Sequence, residues 1–432
     1  MRYVSDSLCP TCEYQIASLQ RLAASGIKAN LGVGSLSGGL ASIAPRLQVV
    51  RTRLRNSIAS IATVNEPDIS GYADWVARTR AYQAELYRQV NADPFLAQFP
   101  VLGPALVNRD SRAALGDLSG SLDWGNLHPY PGGLPPLGNL PDESMLMSQV
   151  SKAKPLTISE VRYQTDLAYT GPLRPASEKA VATYTSRIPL EAFIYGIKRT
   201  YIYQFADVTS PAQAPAAGLS PSQNSFGLLR WTLAPKPSFI ALRNLLRVVD
   251  GDSAPVASPG GMRLAVQGAG PDVRQLLLRS ADGTYALVLW RTVSVWDRTG
   301  LRDLSPSPDH VDVTLGEPVV LARRFDPVAS DAETQRWTDP QKIPVDLAGN
   351  PVVLRLVPKG AAGGAGGSTK GLRMGNPRHG CAAGAKDKHA RKLKHKRARR
   401  AAKRRHARFA DGRRPRATWS LRCVSVSSRL HK

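Results

Sequence analysis

The chain is 432 residues long, with 42% hydrophobic residues, a mean hydropathy of -0.23 and a formal net charge of +25. That length admits two or three domains, or one barrel and a smaller module, and no run of about 18 uncharged apolar residues reads as a transmembrane segment. The charge is local: residues 360–432 hold 22 of the 58 Lys and Arg but only 2 of the 33 Asp and Glu, leaving the rest of the chain at +5. The body therefore carries no electrostatic footprint of a nucleic-acid-binding protein, and without a phosphate loop or metal-ligand cluster no specific nucleic-acid site is expected.

Residues 1–252 alternate short β-like runs with helical patterns, the signature of an α/β sheet or barrel. In chain order, strands are predicted at 2–5, 27–33, 57–64, 99–102, 124–127, 156–159 and 200–205. Helices are predicted at 41–55, with Ile43, Leu47 and Val50 in register, and at 71–90, where Tyr72, Trp75, Val76, Tyr82, Leu86 and Val90 share a face. Two more are predicted at 177–184 and at 238–249. Asp68 and Ser70 offer cap oxygens ahead of the second helix. Seven strands fall one short of the eight that close a (β/α)8 TIM barrel. The first run begins at residue 2, so the expected fold is such a barrel with its first strand missing. The opening residues Met1-Arg2-Tyr3-Val4-Ser5-Asp6 also lack the apolar stretch of a signal peptide.

Cys9-Pro10-Thr11-Cys12 has CxxC spacing, which suits redox chemistry, half a metal site or a local disulfide. Cys381 and Cys423 lie far apart and offer no second ligand pair, so a loop disulfide or two free thiols fit better than zinc. No metal or cofactor is expected.

From residue 253 the pattern changes. Runs at 274–278, 285–291, 311–315, 319–323 and 351–356 read as strands, with turn residues such as Asp282-Gly283 between them and no good helix. A small antiparallel β-sandwich over 253–358 is expected. Its Trp290, Trp296 and Trp337 read first as core and second as platforms for stacking on sugars. A Gly-Ala linker then leads to an Arg/Lys-rich run at 386–416, with too few apolar residues to offset its ordering entropy. Residues 359–432 are expected to be a disordered basic tail, either simply solvated or able to bind an anionic polymer by counterion release.

Two glutamates stand where apolar runs give way to polar segments: Glu66 after Ile61-Ala62-Thr63-Val64-Asn65, and Glu160 after Pro155-Leu156-Thr157-Ile158-Ser159. A carboxylate at the carboxyl end of a buried strand is held by rigid backbone and faces the open end of a barrel. The 94 residues separating the two hold three strand–helix steps. That places them on opposite sides of one mouth, about 5 Å apart, the spacing of a retaining glycosidase pair. The plain alternative is a strand-end ion pair, for Glu160 with Arg162.

These motifs resemble the glycoside hydrolases of clan A, whose barrels carry an Asn-Glu acid/base at the end of strand four and a Glu nucleophile at the end of strand seven. Asn65-Glu66 matches the first and Glu160 the second. Trp124-Gly125-Asn126-Leu127-His128-Pro129-Tyr130 resembles the His-x-Tyr segment ending strand six. Phe226-Gly227-Leu228-Leu229-Arg230, followed by Lys236-Pro237, is similar to the lead into the last helix in family 39 and its relatives. The resemblance covers residues 1 to about 250.

The resemblance implies a retaining O-glycosyl hydrolase that cleaves a β-linked glycan or glycoside by double displacement. Glu160 would be the nucleophile, and Glu66 the acid/base, its pKa raised by the charge on Glu160. Asn65 would bond the sugar 2-hydroxyl and Tyr130 would donate to Glu160. His128 reads equally as a substrate contact or a structural residue. Tyr203, with Phe205, would stack beneath a sugar or pack the rim. An extracellular or cell-surface location is implied as well. Two departures from the family pattern stand out: no Arg ends the first strand, and Val161-Arg162 follows the nucleophile where relatives often carry a small residue. The alternative function is an inactive barrel that binds glycan or cell surface and uses the basic tail as an anchor.

Overall fold

The structure, a computed structural model, describes residues 2–136, 138–249, 260–361 and 422–423. The chain divides into two compact units, residues 1–365 with 420–432, and residues 366–419. The second unit lies outside the described residues, as does the predicted basic run at 386–416.

All seven predicted strands of the first region form: β1 (Tyr3–Ser7), β2 (Lys28–Gly32), β3 (Ile58–Ala62), β4 (Val101–Leu102), β5 (Gly125–Leu127), β6 (Leu156–Val161) and β7 (Thr200–Ile202). β3 to β7 are buried almost throughout, as strands covered on both faces are. Parallel ladders join β1 through β4 in one sheet and β5 through β7 in another. A single parallel bridge between Leu102 and Trp124 links the two. Among the described residues no ladder joins β7 back to β1. The outer edge of β1 instead carries Arg422–Cys423, antiparallel against Val4 and Ser5. The parallel strand–helix alternation is thus present, while closure into an eight-stranded barrel is not seen in the described pairings.

The helices are α1 (Glu13–Ala24), α2 (Ile43–Arg53), α3 (Trp75–Asn91), α4 (Ser111–Leu115), α5 (Leu140–Ser151), α6 (Glu178–Ile194) and α7 (Pro237–Val248). The sequence pattern marks α2, α3, α6 and α7 but not α1, α4 or α5. α6 runs ten residues past its predicted end at 184, through Pro189, and is buried from Ala180 to Ala192. The predicted caps of α3 are corrected. Its N-cap is Asp74, whereas Asp68 lies in the short turn Pro67–Ile69 and accepts from the amides of Asn108 at 2.8 Å and Val107 at 3.1 Å. Ser70 Oγ donates back to the Pro67 carbonyl at 2.6 Å. The turn itself engages the Ser70 oxygen, and the loop after β4 engages that of Asp68.

The second region holds β8 (Leu264–Gln267), β9 (Val273–Arg279), β10 (Tyr285–Arg291), β11 (Trp296–Asp297), β12 (Arg302–Asp303), β13 (Asp309–Leu315), β14 (Val319–Phe325), β15 (Glu333–Thr338), β16 (Lys342–Leu347) and β17 (Val352–Pro358). They form a five-stranded antiparallel sheet, β15-β14-β17-β10-β9, and a three-stranded one, β16-β13-β8, with the hairpin β11-β12 beside them. Leu287, Leu289, Val313, Val345, Leu354 and Leu356 share one core cluster between the two sheets. At Asp282-Gly283 the expected turn forms, with Gly283 at φ 85°.

A second apolar layer joins the two regions: Leu190, Leu245 and Val248 from α6 and α7 meet Ala286, Val288, Trp290 and Val353. An aromatic side chain of about 200 Å² contributes roughly 5 kcal/mol when buried, so apolar contact dominates this junction. Polar bonds fix its register. Trp290 Nε1 donates to Glu191 Oε1 at 2.7 Å and Trp296 Nε1 to the Pro175 carbonyl at 2.9 Å. Arg187 donates to the carbonyls of Val293, at 2.7 Å, and Gly349. Trp290 and Trp296 are 0% and 3% exposed and are therefore core, not sugar platforms; Trp337 packs partly buried on the sandwich core. Both regions lie in one compact unit, and residues 250–259, around the expected boundary at 252, lie outside the described residues.

Candidate active site

Parallel strands bring all their carboxyl ends to one end of the sheet, and the site forms there from the segments leaving β3, β5 and β7 and from the last residues of β6. Gly34, just past β2, lies directly against the backbone that leads from β3 to Glu66. A Cβ at Gly34 would meet Val64 N at 2.2 Å, so only glycine permits the approach. Asn65 is exposed, and Glu66 adopts left-handed backbone at φ 44°, ψ 56°. That conformation costs a non-glycine residue roughly 1–2 kcal/mol. The turn at Pro67–Ile69 and the Asp68 bonds to Val107 and Asn108 hold it there.

His128, just past β5, reaches across to both glutamates. Its side chain is 1% exposed. Nδ1 stands 2.7 Å from Glu66 Oε1, and Nε2 stands 2.8 Å from Ser159 Oγ and 3.6 Å from Glu160 Oε1. Tyr130 OH donates to Glu160 Oε2 at 2.7 Å. Neighbouring residues on a regular strand point to opposite faces, yet Ser159 and Glu160 both approach His128. The β6–β7 register shifts between Ile158 and Val161, which breaks the alternation at this point. Asn126 Oδ1 accepts from Ser159 N at 3.2 Å and ties β5 to β6 just below.

The two carboxylates differ in access: the Glu160 side chain is 5% exposed and that of Glu66 23%. One atom each of Glu66, His128 and Glu160 fall within 4.8 Å of one another, a set that could be considered for a metal ion. The 2.7 Å between Glu66 Oε1 and Nδ1 is shorter than the separation of two ligands each about 2.0–2.1 Å from one tetrahedral ion. It is a hydrogen bond.

Around Glu160 an aromatic trio forms the wall. Tyr130 meets Tyr203 at 6.2 Å and Phe226 at 5.8 Å between ring centres, and Tyr203 meets Phe226 at 5.5 Å, all edge-on. Phe226 comes from a segment parallel to the chain after β7, where Leu228 N donates to Gln204 O and Asp207 N to Leu229 O. Gly227 makes this possible, because a Cβ there would meet Asp207 N at 2.2 Å. Phe205 packs against the core instead of the site.

The cations nearby serve the scaffold. Arg162, the alternative partner for Glu160, is fully buried and donates to Ser238 Oγ at 2.6 Å at the start of α7. Burial holds its pKa down to about 9, against the opposing charges of Asp207 and Glu178. Lys236 pairs with Asp207 at 2.8 Å; burial lowers its pKa while Asp207 pulls the other way. At the end of β1, where the family pattern has an arginine, Asp6 accepts from Gln15 at 2.7 Å. In the same loop Cys9 and Cys12 are joined as a disulfide.

The structure thus brings Glu66, His128, Tyr130, Glu160 and Tyr203 together, with Asn65 at the rim. Sequence reasoning missed Ser159, Phe226 and Asp68 as contributors. Ser159 and Phe226 stand inside motifs already noted and Asp68 reads as a cap, but nothing in the sequence marks the part each plays here.

No family model matches the chain, and none of the curated proteins does. Among solved structures, the chain is similar to a glucosidase from Croceicoccus marinus, at 10% identity and a TM-score of 0.51 over 79% of this chain and 81% of that one. It also aligns with a GH51 arabinofuranosidase from Xanthomonas axonopodis pv. citri, at 14% identity and a TM-score of 0.49 over 78% and 77% of the two chains. At such identity the first likeness is one of fold, and the chain shares the fold of a glycosidase over most of its described length.

Proposed function

We propose that the protein is a retaining glycoside hydrolase acting on a β-linked glycan or glycoside. One observation carries the proposal: two strand-end glutamates, with an oxygen of each and a nitrogen of His128 inside 4.8 Å, stand in unlike settings. Glu160 is the more buried and receives the Tyr130 hydroxyl, which aims it as nucleophile. It attacks the anomeric carbon as the bond to the leaving oxygen breaks, giving a glycosyl ester. Glu66, the more open, gives its proton to that oxygen. It then takes one from the water that attacks the ester and releases Glu160. Asn65 lies beside Glu66 for a sugar hydroxyl, and Tyr203 lines the ring-facing wall. The shared fold with a glucosidase supports the reading.

The test is Glu160→Ala and Glu66→Ala assayed on aryl β-glycosides. Glu160→Ala is expected to abolish turnover, and azide to restore it with inverted configuration at the anomeric carbon. Glu66→Ala should lower kcat/KM by about 10²–10⁴-fold on substrates with poor leaving groups. Unchanged rates in both variants would end the proposal. Glycan binding without turnover by the wild type would favour the binding-protein alternative.

A further inference from the structure

The double displacement leaves one buried polar chain unused: Ser159 Oγ, 2.8 Å from His128 Nε2, and His128 Nδ1, 2.7 Å from Glu66 Oε1. We infer that Ser159 fixes His128 as its Nδ1–H tautomer, and that His128, as a positioning residue, holds Glu66 Oε1 so that Oε2 carries the exchanging proton. The inference rests on Glu66 being the acid/base.

Which imidazole nitrogen bears hydrogen is set by the bond the other makes. For the neutral imidazole, a serine hydroxyl can donate or accept, which gives two arrangements. With Nε2–H donating to Ser159, Nδ1 would present a lone pair to Glu66 Oε1, and that contact is attractive only while Oε1 itself is protonated. With Ser159 Oγ–H donating to Nε2, Nδ1–H donates to Oε1. Through the reaction Glu66 alternates between acid and carboxylate, and only the second arrangement satisfies both forms without moving an atom. In the acid, Oε1 is the carbonyl oxygen and Oε2 bears the proton. As the glycosidic C–O bond breaks, that proton passes from Oε2 to the leaving oxygen. In hydrolysis, the proton of the attacking water returns to Oε2. The protons on Ser159 and His128 stay in place, so no reorganisation is required at the moment of transfer.

The groups facing His128 are Glu66 from the β3 loop, Ser159 and Glu160 from β6, and the Tyr130 ring, edge-on at 6.4 Å. Glu160 Oε1, at 3.6 Å, competes for Nε2 and would favour a hydrogen there. Ser159, closer at 2.8 Å, occupies Nε2 and prevents it. The Ser159 hydroxyl is taken up by His128 Nε2 within the strand, which makes it a holder and not a nucleophile.

The experiment is nitrogen-detected NMR of the full chain labelled at histidine, with His128→Gln to assign the signal, alongside kinetics on aryl β-glycosides of good and poor leaving groups. The wild type is expected to show a neutral His128 protonated at Nδ1. Glu66→Gln should keep that tautomer, since the amide oxygen still accepts from Nδ1. Ser159→Ala should move hydrogen to Nε2 and lower kcat/KM on the order of tenfold for poor leaving groups, with little change for good ones. Ser159→Thr, which keeps the hydroxyl, should restore both. An Nε2–H tautomer in the wild type overturns the inference, as does a tautomer that flips in Glu66→Gln or survives in Ser159→Ala. An active wild type with Nε2–H would sink this inference alone. An inactive one with Nδ1–H would sink the hydrolase proposal and uphold the tautomer.

Discussion

Glu160 in β6 and Glu191 near the end of α6 are closed to solvent almost equally, at 4% and 5% exposure, yet their surroundings have little in common. Glu191 sits in the apolar layer between the two regions of the chain, under a single indole donor from Trp290. Burial raises its pKa, and the Trp290 bond and the charges of Arg274 and Arg187 only partly oppose this. Glu160 has a phenol on one oxygen, an imidazole near the other, and a second carboxylate across that imidazole. Burial and a raised pKa therefore mark the carboxyl that ties layers together. Glu160, the proposed nucleophile, is marked instead by polar groups at both of its oxygens, the Tyr130 hydroxyl and the His128 ring.

The comparison can be broken first at the junction. Arg187→Ala leaves the carbonyls of Val293 and Gly349 without their donor and opens a cavity beside Tyr184, and should cost about 3–5 kcal/mol in chemical denaturation. Separate unfolding of the two regions in the wild type would contradict the shared layer. At the site, Tyr130→Phe keeps the ring in its trio but removes the hydroxyl on Glu160. A fall of about 10²-fold in kcat/KM is expected, with thermal stability moving by less than about 1 kcal/mol; a stability loss without a rate loss would put Glu160 in the same class as Glu191. Trp290→Phe should cost about 1–3 kcal/mol, and calorimetry should find the loss growing as pH rises, since the buried carboxyl then ionises without a donor.

The smallest effect concerns pH. Because the folded-state pKa of Glu191 lies above the ordinary glutamate value of 4.5, the folded protein binds more protons than the unfolded chain just above that pH. Its contribution is full below about 4.5 and is lost as pH rises through the folded value. Glu191→Gln keeps an oxygen for Trp290 and should flatten that decline in a series of denaturation curves. An unchanged slope would show that Glu191 ionises in the folded state as easily as in the unfolded one.

Much of this was legible in sequence because buried strands are short, apolar and bounded, and because a carboxylate ending one is conspicuous. All seven parallel strands and both glutamates surfaced that way. The elements that stayed hidden did so for physical reasons. α6 is buried on all sides, so it lacks the one-sided stripe that marks a surface helix, and Thr183, Thr185, Ser186 and Pro189 read as its end. α1 buries only Ile16 and Leu19, too few for a period. β16 contains Pro344, which argues against a strand unless it lies at a sheet edge, where β16 does lie. Arg162 sits two residues from Glu160, where alternation would put both on one face, but the chain leaves β6 after Val161 and the guanidinium turns to α7. Ser159 gave no sign at all, because a serine in a strand acquires meaning only from the imidazole that meets it.

Asp68 has a consequence for how the proposed hydrolase could change. Its carboxylate is the latch between the loop that carries Glu66 and the loop after β4, closing on two amides of the latter, Val107 and Asn108. Substrate choice is ordinarily rewritten by lengthening or exchanging loops on this face. Here a new loop after β4 must still present two amides at the same place, or the left-handed turn at Glu66 loses its support. In the proposed hydrolase, selectivity and proton transfer would thus be inherited together, through the amides of Val107 and Asn108.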